Sequence, residues 1–141
     1  MKTLNIEDFA PHSFIVIFGD NDRTVQRVVE SQTGSATTVI LDDDNPFWTH
    51  DTAIQQSVQR GRYNKTSLIV RLSEPKELPT HIKYYIDYVI LPKNVFVDSL
   101  EKRRLLYKVY GQNIPSFEDF TRTLDAHDIV IAQGRIFIIT A

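Results

Sequence analysis

The sequence predicts an α/β fold of three layers, with a mostly parallel sheet between helices, and three observations carry that prediction. Four short runs are continuously apolar or β-branched: Ser13 to Phe18, Thr37 to Leu41, Ser67 to Leu72 and Tyr88 to Leu91. Such runs suit parallel strands covered on both faces. Helical patterns lie between them, and this alternation argues for crossover units rather than segregated helices and strands. Finally, Gln133-Gly134 between two further apolar runs reads as the turn of a C-terminal hairpin.

In chain order, Ser13 to Phe18 is the first strand and Gly19 ends it. The segment from Arg23 or Thr24 to Ser31 is the first crossover helix, and Thr37 to Leu41 the second strand. Asp51–Arg60 and Thr80–Tyr85 read as helices flanking the strand at Ser67 to Leu72, with Pro75 and Pro79 punctuating the loop between. After the strand at Tyr88 to Leu91 comes Asp98 to Tyr110. Here Asp98 reads as N-cap, Gly111 as the stop, and Leu100, Leu105, Leu106, Val109 and Tyr110 as the apolar positions. Ser116 to Ala126 follows as a capped helix with Phe117, Phe120 and Leu124 on one face. Ile129–Ala132 and Arg135–Thr140 are the arms of the hairpin.

Bulk properties narrow the class. A chain of 141 residues is expected to form a single domain over 1–141 with a real core, and 42% hydrophobic with 24% charged residues is ordinary for a globular protein. The net charge of −2 argues against a large non-specific nucleic-acid surface but leaves room for a local basic patch. The chain has no cysteine, which removes disulfides and thiolate metal sites. No stretch reads as a signal peptide or approaches the ~20 apolar residues of a membrane span.

The first strand and helix are placed as in a phosphate-binding loop, where GxxxxGK[ST] wraps phosphates with backbone N–H groups, Lys neutralises them, and the hydroxyl binds magnesium. Counting from Gly19, the slots for Gly, Lys and Ser/Thr hold Thr24, Val25 and Gln26, while Asp20 and Asp22 place negative charge where a polyphosphate would sit. Those substitutions remove most of the preorganised stabilisation of phosphoryl transfer. Ile40-Leu41-Asp42-Asp43 is an apolar strand ending in acids. In P-loop ATPases such acids hold magnesium and position water, and elsewhere they are ordinary turn formers.

From Val39 onward the chain resembles the second half of the DNA-packaging ATPases of large nucleocytoplasmic DNA viruses, a poxvirus-type branch of the FtsK/HerA-like P-loop ATPases. The resemblance rests on ILDD at Ile40–Asp43, RGRY at Arg60–Tyr63, LPTHIKYYIDYVI at Leu78–Ile90, EKRRLLYKVYG at Glu101–Gly111 and IPSFEDF at Ile114–Phe120. These are similar, in order and spacing, to the family's Walker B strand, NGRH-type turn, IPxxIRxxIDYVF segment, RxRLYxxYxG helix and PxFxxF helix. The resemblance implies a minimal P-loop-NTPase-like fold, with Asp42 and Asp43 as the paired acids and Ser73 where a sensor glutamine stands. Tyr63 replaces a His and Lys83 an Arg. Only Thr33-Gly34-Ser35-Ala36 separates the first helix from the Walker B-like strand, where active members carry a longer segment with one more strand. That strand lies at the sheet edge in this class, so its loss leaves the core intact.

The expectation is therefore a shortened, degenerate relative that is not an enzyme, needs no cofactor, and works through contacts. Expected partners are a second copy (a dimer) or subunits of the packaging ATPase, in infected-cell cytoplasm or the virion. Nucleic acid is the alternative partner, through Arg60, Arg62, Lys65 and the helix positions Lys102, Arg103, Arg104 and Lys108. The plainer reading of these is a charged solvated surface and, for Arg60 and Arg62, a favourable helix C-terminus. Residual nucleotide binding, and a cryptic metal-dependent activity of Asp42 and Asp43, are further alternatives. Histidines 12, 50, 81 and 127 lack metal-ligand spacing, no serine has a G-x-S-x-G setting, and Phe47-Trp48 reads as a packing anchor or a partner surface.

Overall fold

A computed structural model describes residues 2–19, 21–42 and 48–140. The strands are β1 (Thr3–Leu4), β2 (Phe14–Phe18), β3 (Thr37–Asp42), β4 (Thr66–Leu72), β5 (Tyr88–Leu91), β6 (Ile129–Ala132) and β7 (Arg135–Ile139). The helices are α1 (Asp22–Ser31), α2 (Thr52–Arg60), α3 (Thr80–Lys83), α4 (Leu100–Tyr110) and α5 (Phe117–Ala126). One sheet runs in the order β1-β7-β6-β5-β2-β4-β3. β5, β2, β4 and β3 are mutually parallel, β6 is antiparallel to β5 and β7, and β1 runs parallel to β7.

Alternation along the central strands builds the layers. Phe14, Val16 and Phe18 of β2 face a core shared with Leu68, Val70 and Leu72 of β4 and with Val58, Ile82, Leu106, Phe120 and Leu124 of the later helices. Ile15 and Ile17 face the other way, against Ile69, Ile90, Val28 of α1, and Ile6 and Phe9 of the N-terminal segment. Both faces of β2 are therefore buried, and each fully buried aliphatic side chain contributes about 1.5–3 kcal/mol. Its unbroken apolar run follows from that burial.

β3 departs from the expectation of full coverage. It is the outermost strand on its side, and Ile40 is half exposed. A continuous β-branched run reports strand propensity, and position in the sheet decides how much of it is covered. β1, only two residues long, gives no periodic signal at all.

Caps fix most helix limits. Asn21 caps α1, Asp51 caps α2 and Ser116 caps α5, each side chain accepting a backbone N–H three residues on. For α4 the cap is Ser99, not Asp98: the Ser99 hydroxyl accepts from the Lys102 N–H. The buried face of α4 also differs from the apolar pattern, because Arg103 and Leu106 are inside while Leu100 and Leu105 are exposed. The turn joining β6 to β7 is as expected. Gln133 and Gly134 both take positive φ (52° and 73°), the conformation of a tight hairpin turn. Among the described residues no helix is long and apolar enough to cross a membrane.

Candidate functional site

The C-terminal ends of β2, β4 and β5 open onto one groove of about 730 Å³, lined by Gly19, Asn21, Asp22, Ser73, Glu74 and Lys102 among others. Parallel sheets bind ligands at this end. Gly19 leaves β2 with φ +88°, and its N–H donates to the Leu72 carbonyl at 2.8 Å. A Cβ there would lie 3.1 Å from Val95 Cγ2, so both conformation and space select glycine.

α1 begins almost at once. Three residues, 19–21, separate β2 from α1, whereas GxxxxGK[ST] places four residues between its glycines alone. The Asn21 side chain accepts the Thr24 N–H at 3.0 Å, so one of the free helix N–H groups that would face an anion is satisfied from within the chain. The residues in the phosphate-loop slots diverge. Thr24 is buried, Val25 packs into the core beneath α1, and Gln26 is exposed and reaches Glu30.

Two ion pairs cross elements at the groove. Arg71 of β4 donates to Asp22 at 2.6 Å, and Lys102 of α4 meets Glu74 at 2.8 Å. Asp42 ends β3 in register with Arg71 and is exposed. The groove thus holds Asp22, which pairs with Arg71 beside it, the Glu74–Lys102 pair, Ser73 and the exposed Lys93. Asp20 and Asp43 lie outside the described residues, as does Phe47, and Trp48 is fully buried in the main core. Among the described residues no group of three His, Asp or Glu side chains could hold a metal ion.

The proposed basic contacts do not share one face. Arg60, Arg62 and Lys65 are exposed at the far end of the sheet, where β4 begins. Arg104 is exposed with its guanidinium 4.9 Å from the Phe117 ring, and Lys108 is exposed. Arg103 corrects the expectation of a surface contact: it is 2% exposed, pairs with Asp125 at 2.8 Å, and donates from Nε to the Val95 carbonyl at 3.0 Å. Its place in a basic run disguised a buried anchor. Sequence reasoning also passed over Asn21 and Arg71. Asn21 carried a signal as a capping residue ahead of a helix, and Arg71 as a lone charge inside an apolar strand, which calls for a partner.

Strand order places β2 between β5 and β4, with the acid-tipped β3 outside β4 and α1 leaving β2 across a glycine. That arrangement is an α/β fold of the P-loop-NTPase-like kind. Among solved structures, the genome packaging NTPase B204 from Sulfolobus turreted icosahedral virus 2 in complex with AMP is similar, with TM-score 0.51 and 13% identity over 89% of this chain and 81% of that one. The same NTPase in complex with ATP-gammaS gives TM-score 0.51 and 13% identity over 89% and 80%. The likeness is one of fold. No family model and no curated protein matches the sequence.

Proposed function

We propose that this protein serves viral genome packaging or assembly as a non-catalytic module of the packaging-NTPase fold, a shortened relative of the poxvirus-type packaging ATPases. The observation that carries this reading is the β2–α1 connection. It is too short for a phosphate nest, it is capped by Asn21, and it is followed by core-packed Val25 in the lysine slot. The packaging role rests on the fold shared with B204 and on the motif order from Ile40 to Phe120.

The test is a thermal-shift and calorimetric titration with ATP and ADP, with and without magnesium. A ligand that binds only the folded state raises stability by RT ln(1 + [L]/Kd), about 2.7 kcal/mol at a hundredfold excess over Kd. No shift up to about millimolar nucleotide is expected. A nucleotide-dependent rise accompanied by phosphate release that Asp42→Asn abolishes sinks the non-catalytic reading.

A specific observation favours self-association. The outer side of β3 has no partner strand among the described residues, and Thr37 to Leu41 carries no charge, Pro or bulge of the kind that shields free edges. A second copy pairing along β3 forms a two-fold dimer. Light scattering of the native chain and of Ile40→Lys tests this, with dimer expected for the first and monomer for the second.

A further inference from the structure

At the other end of the sheet, where β2, β4 and β5 begin, two grooves of about 460 and about 340 Å³ share Ser13, Arg62, Ile86 and Asp87 and so form one continuous track. Arg60 and Arg62 line the first part, and Arg62 and Arg135 the second. We propose that this track binds single-stranded nucleic acid, its arginines following the phosphates and Tyr63 and Tyr84 stacking on bases. The proposal does not depend on whether the nucleotide site is empty.

The charge is suited to a polyanion. Three guanidiniums face one carboxylate, and that carboxylate is already committed: Asp87 accepts the Phe14 N–H at 2.8 Å through one oxygen and Arg62 at 2.7 Å through the other. The Arg62 side chain is still 77% exposed, so its pairing is of the weak, solvent-screened kind that an incoming phosphate can share. Arg60 and Arg135 are exposed.

Stacking supplies the second half. Tyr63 is 88% and Tyr84 82% exposed, and both line the first groove. The turn carrying Tyr63 starts at buried Gly61, where a Cβ would lie 2.8 Å from the Ser57 carbonyl and 2.9 Å from that of Thr66. Tyr84 is braced edge-to-face by Tyr85 at 5.2 Å. At the same end of the sheet, fully buried Gln32 accepts from the Ser13 N–H and the Ser67 hydroxyl, tying the start of β2 to β4.

Together these features select unpaired strands, because duplex bases hide their faces while single strands offer them to aromatic rings. Tyr and Arg also enrich protein interfaces. Here, however, the strongly exposed large hydrophobic residues lining the track are all tyrosines, and its remaining accessible lining includes polar His12, Ser57 and Thr66. Stacked bases suit that surface better than an aliphatic peptide.

Fluorescence anisotropy with an oligothymidylate of about a dozen nucleotides, against a duplex of equal length, decides the matter. At about 50 mM salt the single strand binds and the duplex binds more weakly. Tyr63→Ala and Tyr84→Ala, both at exposed positions that leave folding intact, each weaken binding by about 5- to 150-fold. Arg135→Ala lowers the slope of log K against log salt by about 0.7 per lost phosphate contact. Lys108→Ala, on α4, leaves affinity unchanged. Absence of binding at low salt, equal affinity for duplex, or tyrosine variants as tight as the parent overturns the proposal, and the first result gives the track to a protein partner.

Discussion

Arg103 and Asp125 set a test in which the two halves of one ion pair carry different costs. Arg103 is 2% exposed while the Asp125 side chain is 48% exposed, so only the cation has been withdrawn from water. Asp125→Ala strands a buried guanidinium whose remaining protein contact is the Val95 carbonyl. Removing one partner of a buried pair costs about 3–5 kcal/mol, and the half-open side of this pair places the expectation near the lower figure, ~3 kcal/mol. Arg103→Met keeps the volume and removes the charge. It also removes Nη2, which is buried with no hydrogen-bond partner. Asp125 is then simply rehydrated, and the main loss is the donor to Val95, about 1–2 kcal/mol. Urea denaturation reads both. With m near 2 kcal/mol/M, the midpoint falls by about 1.5 M for Asp125→Ala and by less than about 1 M for Arg103→Met. Added salt leaves this ranking unchanged, because buried pairs are weakly screened. Equal shifts, or the reverse order, refute the assignment of Arg103 as a desolvated cation.

Three further outcomes are expected. Asn21→Ala lowers stability by about 1 kcal/mol in the same assay, and Asn21→Asp restores most of it, since either side chain accepts the Thr24 N–H. Gly19→Ala costs about 1–2 kcal/mol from its positive φ and the contact with Val95, and a companion Val95→Ala recovers the steric part. Tyr110 governs alkaline stability. Burial, reinforced by the nearby Glu77 charge, pushes its hydroxyl from 10.0 up to about 12. Because the folded value is raised, the contribution is complete below pH 10 and is lost as pH climbs from about 10 through about 12. The loss reaches about 2–3 kcal/mol, and Tyr110→Phe flattens that part of the stability profile.

The sheet was legible because its strands are short, apolar and separated by helical periodicity, and each strand from Phe14 onward falls where composition put it. The Ser116 cap was legible, whereas Asp51 read as the first residue of its helix and proves to be its cap. The cap reading failed at Asp98-Ser99, where two candidates adjoin and only geometry tells which oxygen reaches the third N–H. The edge position of β3 was hidden because strand order is a long-range property. The same holds for Arg103. A helix of EKRRLLYK composition gives no one-dimensional sign of which basic residue turns inward, and the choice is made by Asp125 and Val95, both outside the helix. Sequence alone also set Arg60, Arg62 and the α4 residues together as one basic set. Folding separates them, placing Arg62 beside Tyr63, Tyr84 and Arg135 instead.

The two ends of this sheet carry opposite features. In a parallel sheet the C-terminal strand ends present a helix N-terminus, and here that terminus is capped by Asn21 and bears Asp22, which is tied to Arg71. Each of these contacts stabilises the protein without a ligand, and each places a side chain where an anion would need backbone N–H groups. The N-terminal strand ends carry the reverse signature: aromatic rings left in water and guanidiniums exceeding carboxylates. Exposed Tyr63 and Tyr84 contribute little to folding, since their faces bury almost nothing. On the reading proposed above, the C-terminal strand ends are largely committed to internal pairs, and the surface left for a partner lies at the N-terminal strand ends.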